Sequence, residues 1–213
     1  MKNFKVSEIT RQEAKPFILQ KHYAQRMPSI SWCFGLFHME ELKGVLTIGK
    51  PASNTLCDGL LGKKHSKKVF ELNRLILDEG LPKNTASFFI SRCLKKLKNK
   101  DLAIVSYADT AMSHHGYVYQ ASNFIYTGST KERTDKYTPN NKHSRHYDNE
   151  NSHLRKVRSK KHRYVFFTKN KELAKELKYP ILPYPKGENS NYVLGERIKT
   201  KVIDKENNTF FYE

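Results

Sequence analysis

LAIVSYADTAMSHHGYVYQASNFIYTG, residues 102–128, is the stretch whose reading decides the fold. It opens on an apolar run, Leu102-Ala103-Ile104-Val105, with the continuity of a buried strand. Ser106-Tyr107-Ala108 ends the run, and an acid, Asp109, follows. A polar loop carrying His114 and His115 leads to Gly116. A short helical segment over 117–122, a second strand over 123–127 and Gly128 complete the unit. In open α/β sheets, ligands gather beyond the carboxyl ends of the strands. Asp109 sits at such an end beside histidines and tyrosines, a grouping that serves proton transfer or metal binding as well as packing.

Working outward, residues 69–77 read as a strand with Phe70, Leu72 and Arg74 in its alternation. A turn at 78–84 follows, where Asn84, Thr85 or Ser87 is placed to cap a helix. Ala86, Phe89, Ile90, Cys93, Leu94 and Leu97 then recur at helical spacing, the clearest amphipathic stripe in the chain. The order strand, helix, strand, helix, strand predicts an α/β (α+β) fold, a central mixed sheet flanked by helices. Nearer the N-terminus, Thr10 and Glu13 match a capping box for a helix reaching Tyr23, which Pro16 either begins or kinks. Residues 30–39 and 42–48 read as strands joined by a turn at Glu40-Glu41, and 54–68 as irregular.

Past residue 130 the chain changes character. Over 131–165 basic residues outnumber acidic ones by 11 to 4, with four histidines and little apolar content. Alone, such a segment is an extended surface loop or disordered. A strand resumes at 164–167, a short helix is expected at 172–177, and 181–187 is proline-stiffened and extended. Strand character returns at 202–204 and 209–212. This divides the chain into a core over 1–130 and a basic, loop-rich extension over 131–213 that completes the same domain.

The 213 residues suffice for one good core. Lysine and arginine number 39 against 21 acids, a net charge of +18 that predicts attraction to polyanions such as nucleic acid or a phosphorylated cofactor. No apolar run approaches the roughly 18 residues of a spanning helix, and the N-terminus lacks the apolar core of a secretion signal. A cytoplasmic protein without membrane partners is expected. Cys33, Cys57 and Cys93 are odd in number and widely spaced, as free buried thiols in a reducing compartment are. His143-x-x-His146 and His153 lack the thiolate partners of a structural zinc site.

Several motifs together resemble one family, the phage DNA-modification proteins typified by Mom. They are Lys21-His22-Tyr23, Glu71-Leu72-Asn73-Arg74-Leu75, Leu81-Pro82-Lys83-Asn84-Thr85, Ser106-Tyr107-Ala108-Asp109-Thr110, His115-Gly116-Tyr117, Tyr119-Gln120-Ala121-Ser122-Asn123-Phe124, His162-Arg163-Tyr164 and Pro183-Tyr184-Pro185-Lys186-Gly187. The likeness covers about residues 15–187 and rests on their order and combination. The resemblance implies a fold similar to GNAT-type acyltransferases and modification of adenine N6 in double-stranded DNA. It implies a carbamoylmethyl (acetamido) product that shields phage DNA from host restriction, in a protein of phage or prophage origin. One departure is plain. GNAT proteins hold the coenzyme A pyrophosphate with a glycine-rich loop, whereas residues 80–87 have one glycine and a proline, so coenzyme A binding is inferred from strand–helix order.

Each group has a bland reading beside the functional one. Leu77, Lys83, Asn84, Thr85, Ser87 and Asn123 are candidates for an acetyl-CoA site, the helix entry offering free N–H groups to a pyrophosphate; otherwise they are caps and turns. His22, Tyr23 and Asp109 are candidates for an iron site, since histidine, tyrosinate and carboxylate suit such a metal; otherwise they end a helix and a strand. Asp109, Tyr107, Tyr117, Tyr119 and Arg74 are the candidate catalytic set. The tyrosines otherwise pack, and Arg74 in its strand requires a carboxylate or phosphate partner. Arg133, Lys142, Arg145, Arg155, Arg158, Lys160 and Arg163 are candidate DNA contacts, as chemistry on N6 requires the base to leave the stack and the backbone to be gripped. Two other classes remain: a conventional N-acetyltransferase of a protein or small amine, and a non-catalytic DNA-binding protein.

Overall fold

The structure is a computed structural model that describes residues 1, 3–139, 146–169, 171–188, 194–196 and 199–213. The chain runs β1 (Phe4–Glu8), α1 (Arg11–Pro16), β2 (Trp32–His38), β3 (Glu41–Gly49), α2 (Asn54–Leu61), β4 (Val69–Leu77), α3 (Thr85–Lys96), β5 (Ala103–Asp109), α4 (Tyr117–Gln120), β6 (Ile125–Ser129), β7 (Arg133–Lys136), β8 (Leu154–Arg158), β9 (Lys161–Phe167), α5 (Lys171–Lys175), β10 (Lys201–Asp204) and β11 (Thr209–Tyr212). Seven strands form one mixed sheet in the order β1-β2-β3-β4-β5-β9-β6, and β11-β10-β8-β7 form a second, smaller sheet. Among the described residues only β4 and β5 pair in parallel; every other pairing is antiparallel.

Alternation in β5 explains why the large sheet is covered on both faces. Ile104 joins a cluster with Phe89, Ile90, Cys93 and Leu94 of α3. Its neighbours Ala103 and Val105 point the other way, into a cluster with Cys57, Leu60 and Leu61 of α2 and Leu173 of α5. A strand buried on both faces reads as one continuous apolar run, as this one does. A third cluster seats Ala14, Phe17 and Ile18 on Cys33, Val45 and Ile76. All three cysteines are buried and free.

Four elements differ from the sequence expectation. Part of 54–68, expected to be irregular, is α2: the Ser53 hydroxyl accepts the Leu56 N–H, Cys57, Leu60 and Leu61 make a two-turn apolar stripe, and Gly62 at φ 74° ends it. The stripe was masked by its own glycine, Gly59, and by the basic cluster after it. The first helix keeps its Thr10–Glu13 capping box but does not reach Tyr23. Pro16 lacks the N–H that would continue the ladder, and residues Phe17–Lys21 widen into a π-turn that ends at an extended His22. β1, short and half polar, went unread. The basic segment is no simple loop: β8 pairs with β7 on one side and β10 on the other, and β9 is inserted between β5 and β6 of the large sheet.

Phe89 is fully buried under the sheet. Phe89→Ala is expected to cost about 3–5 kcal/mol, whereas Lys96→Ala on the exposed side of α3 stays within about 0.5 kcal/mol. Urea unfolding midpoints compare the two.

Candidate active site

The site begins where two strands part. β4 and β5 pair over only three residues each, Val69 with Ala103, Phe70 with Ile104 and Glu71 with Val105. Beyond that point β4 stays with β3 as far as Leu77, and β5 stays with β9 as far as Asp109. Facing backbone groups are thereby left without ladder partners. The first is satisfied locally: the Ser106 hydroxyl donates to the Leu72 carbonyl at 2.9 Å. Past this fork lies a cavity of about 780 Å³, lined by both strands, the turn after β4, the start of α3, α4, the end of the first helix and Leu194.

His22, Tyr23, Arg74, Leu77, Asn84, Thr85, Tyr107, Asp109, Tyr117 and Tyr119 all line this cavity. Residues distant in sequence therefore meet, His22 and Asp109 among them. Three expected ligands of a cofactor do not line it: Lys83, Ser87 and Asn123. The Ser87 hydroxyl donates to the Asn84 carbonyl, and Asn123 holds the turn between α4 and β6 at φ 60°. The turn into α3 lacks the glycine-rich fingerprint yet still reaches the left-handed region twice, at Gly80 (φ 73°) and Asn84 (φ 68°). Asparagine tolerates that conformation better than most residues. Asn84 makes no side-chain cap bond, so the first turn of α3 keeps N–H groups to offer the cavity.

Charge inside the cavity is arranged by burial and by a few close partners. Asp109 accepts from Lys161 Nζ at 2.7 Å, Ser159 Oγ at 2.5 Å and the Ala111 N–H at 3.1 Å. Burial alone would raise its pKa, but the Lys161 charge and these donors outweigh it and hold the carboxyl below its usual range. Glu71 has the opposite balance: burial raises it, and Arg74 and Lys161 offset only part of that. Burial, reinforced by the Arg74 and Lys161 charges, pushes His22 down to about 3, so its imidazole is neutral; its Nδ1 accepts the Ala24 N–H at 3.0 Å. Tyr23 stacks on His22 at 4.3 Å and is raised by burial and by the Asp109 charge. Burial also raises Tyr107, and lifts Tyr119, which hydrogen-bonds Ser106, to about 12.

Among the described residues Arg74 makes no ion pair with a carboxylate, although the Glu71 charge acts on it; Nη1 donates to the Asn73 carbonyl at 2.6 Å and Nη2 to the Arg26 carbonyl at 2.8 Å. Its Nε is buried without a hydrogen-bond partner among the described residues. The cation thus retains a donor at the junction of two spaces. A second cavity of about 840 Å³ shares Glu71, Asn73 and Arg74 with the first and is otherwise walled by residues 26–29 and 50–52 and His146.

The grouping of acidic, histidine and cysteine donors gives the iron expectation no support. Among the described residues no three His, Cys, Asp or Glu side chains are grouped to hold a metal ion. The Asp109 oxygens are already taken by Lys161, Ser159 and Ala111, and Nδ1 of His22 by Ala24. Arg163 corrects one expectation. It is buried, donates to Thr127 Oγ1 at 2.9 Å and to the Thr127 carbonyl at 2.8 Å, and lies over the Tyr179 ring at 3.4 Å. Its place in β9, inside the large sheet, makes it a structural cation, not a DNA contact. Arg133 and Arg158 both pair with Asp135, Arg155 bonds the Ser152 and Leu154 carbonyls, and Lys160 is exposed. Lys142 and Arg145 lie outside the described residues. Sequence reasoning missed Glu71 and Lys161 as site residues. Glu71 carried a signal, an acid inside an apolar strand; Lys161 was one cation among many.

A mixed sheet that splits between two parallel strands, with a helix entry at the mouth of the split, defines the GNAT acetyltransferase fold. An N-acetyltransferase from Staphylococcus aureus Mu50 superposes with a TM-score of 0.50 at 12% identity, over 78% of this chain and 99% of that one. The ribosomal-protein-S18-alanine N-acetyltransferase of Escherichia coli is also similar, with a TM-score of 0.47 at 8% identity over 78% of this chain and 95% of that one. Residues 3–186 match the Mom protein family, and the chain belongs to it. Among its relatives is the methylcarbamoylase Mom of Escherichia phage Mu, 32% identical over 132 residues, or 60% of this chain. The match spans 55% of that relative's length.

Two outcomes follow from this geometry. His22 has a folded pKa depressed to about 3, so the unfolded chain binds more protons between that value and the ordinary histidine pKa of about 6.5. Its contribution is whole above about 6.5 and declines by on the order of 1 kcal/mol per pH unit below it. A His22→Gln variant is expected to show a shallower acid loss of stability in urea titrations at successive pH values. Arg163→Ala is expected to destabilise the fold by about 2–4 kcal/mol in urea unfolding.

Proposed function

We propose that this protein is a DNA-modifying transferase that converts adenine to its N6-carbamoylmethyl derivative in duplex DNA, with a coenzyme A thioester bound in the cavity at the fork. What carries the reading is family membership over residues 3–186, borne by motif residues that line that cavity, among them Glu71, Arg74, Asn84, Tyr107 and Asp109. The relative from phage Mu is named for methylcarbamoyl transfer. Shielding of phage DNA from host restriction is the biological role that fits.

The cavity has the parts this task requires. Free N–H groups at the start of α3 and the left-handed Asn84 receive the pyrophosphate. The parted edges of β4 and β5 offer backbone donors and acceptors to the amide-rich arm of the coenzyme. The second cavity, which shares Glu71, Asn73 and Arg74 with the first, takes the adenine after it leaves the stack. Its apolar walls at Met27, Pro28 and Pro51 suit a base face. The exocyclic amine loses a proton as its new bond forms. Glu71, raised by burial and shared by both cavities, is placed to accept it. Arg74, with Nε still to be satisfied, is placed to stabilise negative charge on the donor, while Tyr119, hydrogen-bonded to Ser106, lines the space beside it. Asp109, locked to Lys161 and Ser159, is a positioning residue for the fork. Tyr117 serves positioning too: its hydroxyl donates to the Gly187 carbonyl and accepts the Gly187 N–H. Ordinary acyl transfer joins the carbonyl carbon to nitrogen. A carbamoylmethyl product joins N6 to a methylene and ends in a primary amide. Built from an acetyl thioester it breaks a methyl C–H bond, which takes a two-electron oxidant, and releases the thiol to an incoming ammonia-level nitrogen, two co-reactants that the thioester itself does not supply.

Nucleoside mass spectrometry on plasmid DNA from bacteria expressing the protein is expected to show a new modified deoxyadenosine. Glu71→Gln and Asp109→Asn are each expected to reduce it at least about 100-fold. Unmodified nucleosides beside soluble protein that acetylates an amine would replace the reading with a conventional N-acetyltransferase.

A further inference from the structure

The small sheet has two unlike faces. Its registers place Phe211, Val202, Lys156 and Asp135 in one row across the sheet, and Phe210, Ile203, Arg155 and Lys136 in the next. Alternation puts adjacent rows on opposite faces. The first face is turned inward at β8 and β10, where Val202 is fully buried and Leu154 nearly so, while Phe211 at its β11 edge is 42% exposed. It also gathers the acids Asp135, Asp204 and Glu213, and with them the cations Arg133, Arg158 and Lys156. Among the described strand residues the second face carries Lys136, Arg155 and Lys201 and no carboxylate. It also carries the most exposed aromatics among the described residues, Phe210 at 56% and Tyr212 at 59%.

These aromatics are presented rather than packed. Phe210 and Tyr212 meet edge to face at 5.9 Å, and Lys201 Nζ lies 4.1 Å over the Phe210 ring. Lys136 Nζ lies 3.3 Å over Tyr147, itself 42% exposed. Rings alternating with cations on an open sheet face, cleared of acids, complement a strand whose phosphates and base faces are both accessible. The face is also coupled to the cavity. One residue past the end of β8, Ser159 donates to Asp109, and Lys161 at the start of β9 pairs with the same carboxylate.

We propose that this face of β7, β8, β10 and β11 binds locally opened DNA, Phe210 and Tyr212 stacking on unpaired bases while Lys136, Arg155 and Lys201 take the phosphates. The inference rests on DNA being the substrate. It moves the contact surface off Arg133 and Arg158, whose charge Asp135 neutralises, and onto β10 and β11, which composition did not mark.

The test is fluorescence anisotropy of the full chain with labelled duplex, single-stranded and mismatch-bubble DNA. The wild type is expected to prefer the bubble over the paired duplex. The Phe210→Ala/Tyr212→Ala double variant is expected to bind the bubble at least about fivefold more weakly and to lose that preference. Phe210→Tyr/Tyr212→Phe is expected to retain it, which separates stacking from a loss of fold. Lys136→Gln/Lys201→Gln is expected to lower the salt slope by about two. Unchanged bubble affinity in the alanine variant would overturn the proposal, as would loss of a wild-type dimer in light scattering with DNA binding intact, which would assign the face to a second copy of the chain. Mass spectrometry of adenine modification by the wild type reports separately on the enzymatic reading: modification with an indifferent Phe210/Tyr212 pair sinks this inference alone, and Phe210-dependent bubble binding without modification sinks only the enzymatic one.

Discussion

Everything at the site depends on β4 and β5 separating after three paired residues. Parallel strands in a sheet covered on both faces normally stay paired, because buried backbone groups require partners. Here two devices make the separation tolerable. Each strand keeps a second neighbour, β3 for β4 and β9 for β5, so neither loses its whole ladder. At the fork itself a serine takes the first stranded carbonyl. A bulge in the β3–β4 pairing between Thr47 and Ile48 turns β4 further, and Thr47 and Asn73 hydrogen-bond across it at 2.5 Å. The cavity is the product of these choices, and its polar walls are the parts of two strands that no longer face each other.

A space opened this way is partly dry, and its charges behave accordingly. Lys161, Ser159 and Ala111 outweigh the burial of Asp109 and hold its carboxyl below its usual range. Glu71, with no such enclosure, is held closer to its protonated form. Two carboxylates in one cavity are thus pushed in opposite directions, the condition under which acid–base roles separate. His22 is kept neutral by the same burial and by neighbouring cations. Lys161 links these effects to the sheet: its register partner is Asp109, so the pairing of β5 with β9 and the ionisation of the site are one structural fact.

Much of the architecture was legible in the chain. The buried run at 102–105, the stripe from Ala86 to Leu97 and the strand carrying Arg74 are strong periodic signals, and all three became elements. That His22, Tyr23 and Asp109 share one space was implied only by the family resemblance; no spacing rule reports that residues so far apart meet. What failed was where context overrides pattern. Pro16 turned a helix into a π-turn, α2 was too short for its stripe to show, and Arg163 looked like any other cation in a basic run until β9 was seen inside the sheet.

That last case bears on how a charge of +18 is read. Basic composition predicts a polyanionic partner but not the cations that reach it. Arg163 is consumed by the interior, Lys161 by Asp109, and Arg133 and Arg158 by Asp135. Each of these lies in the segment that composition singled out. The cations left on an acid-free surface are those that β-sheet alternation segregates, Lys136, Arg155 and Lys201, and two come from strands on either side of a long stretch of sequence. A two-residue period therefore sorts the charge of this protein more finely than its linear density does. It sends carboxylates and their partners to the covered face of the small sheet, and leaves rings and unmatched cations together on the open one.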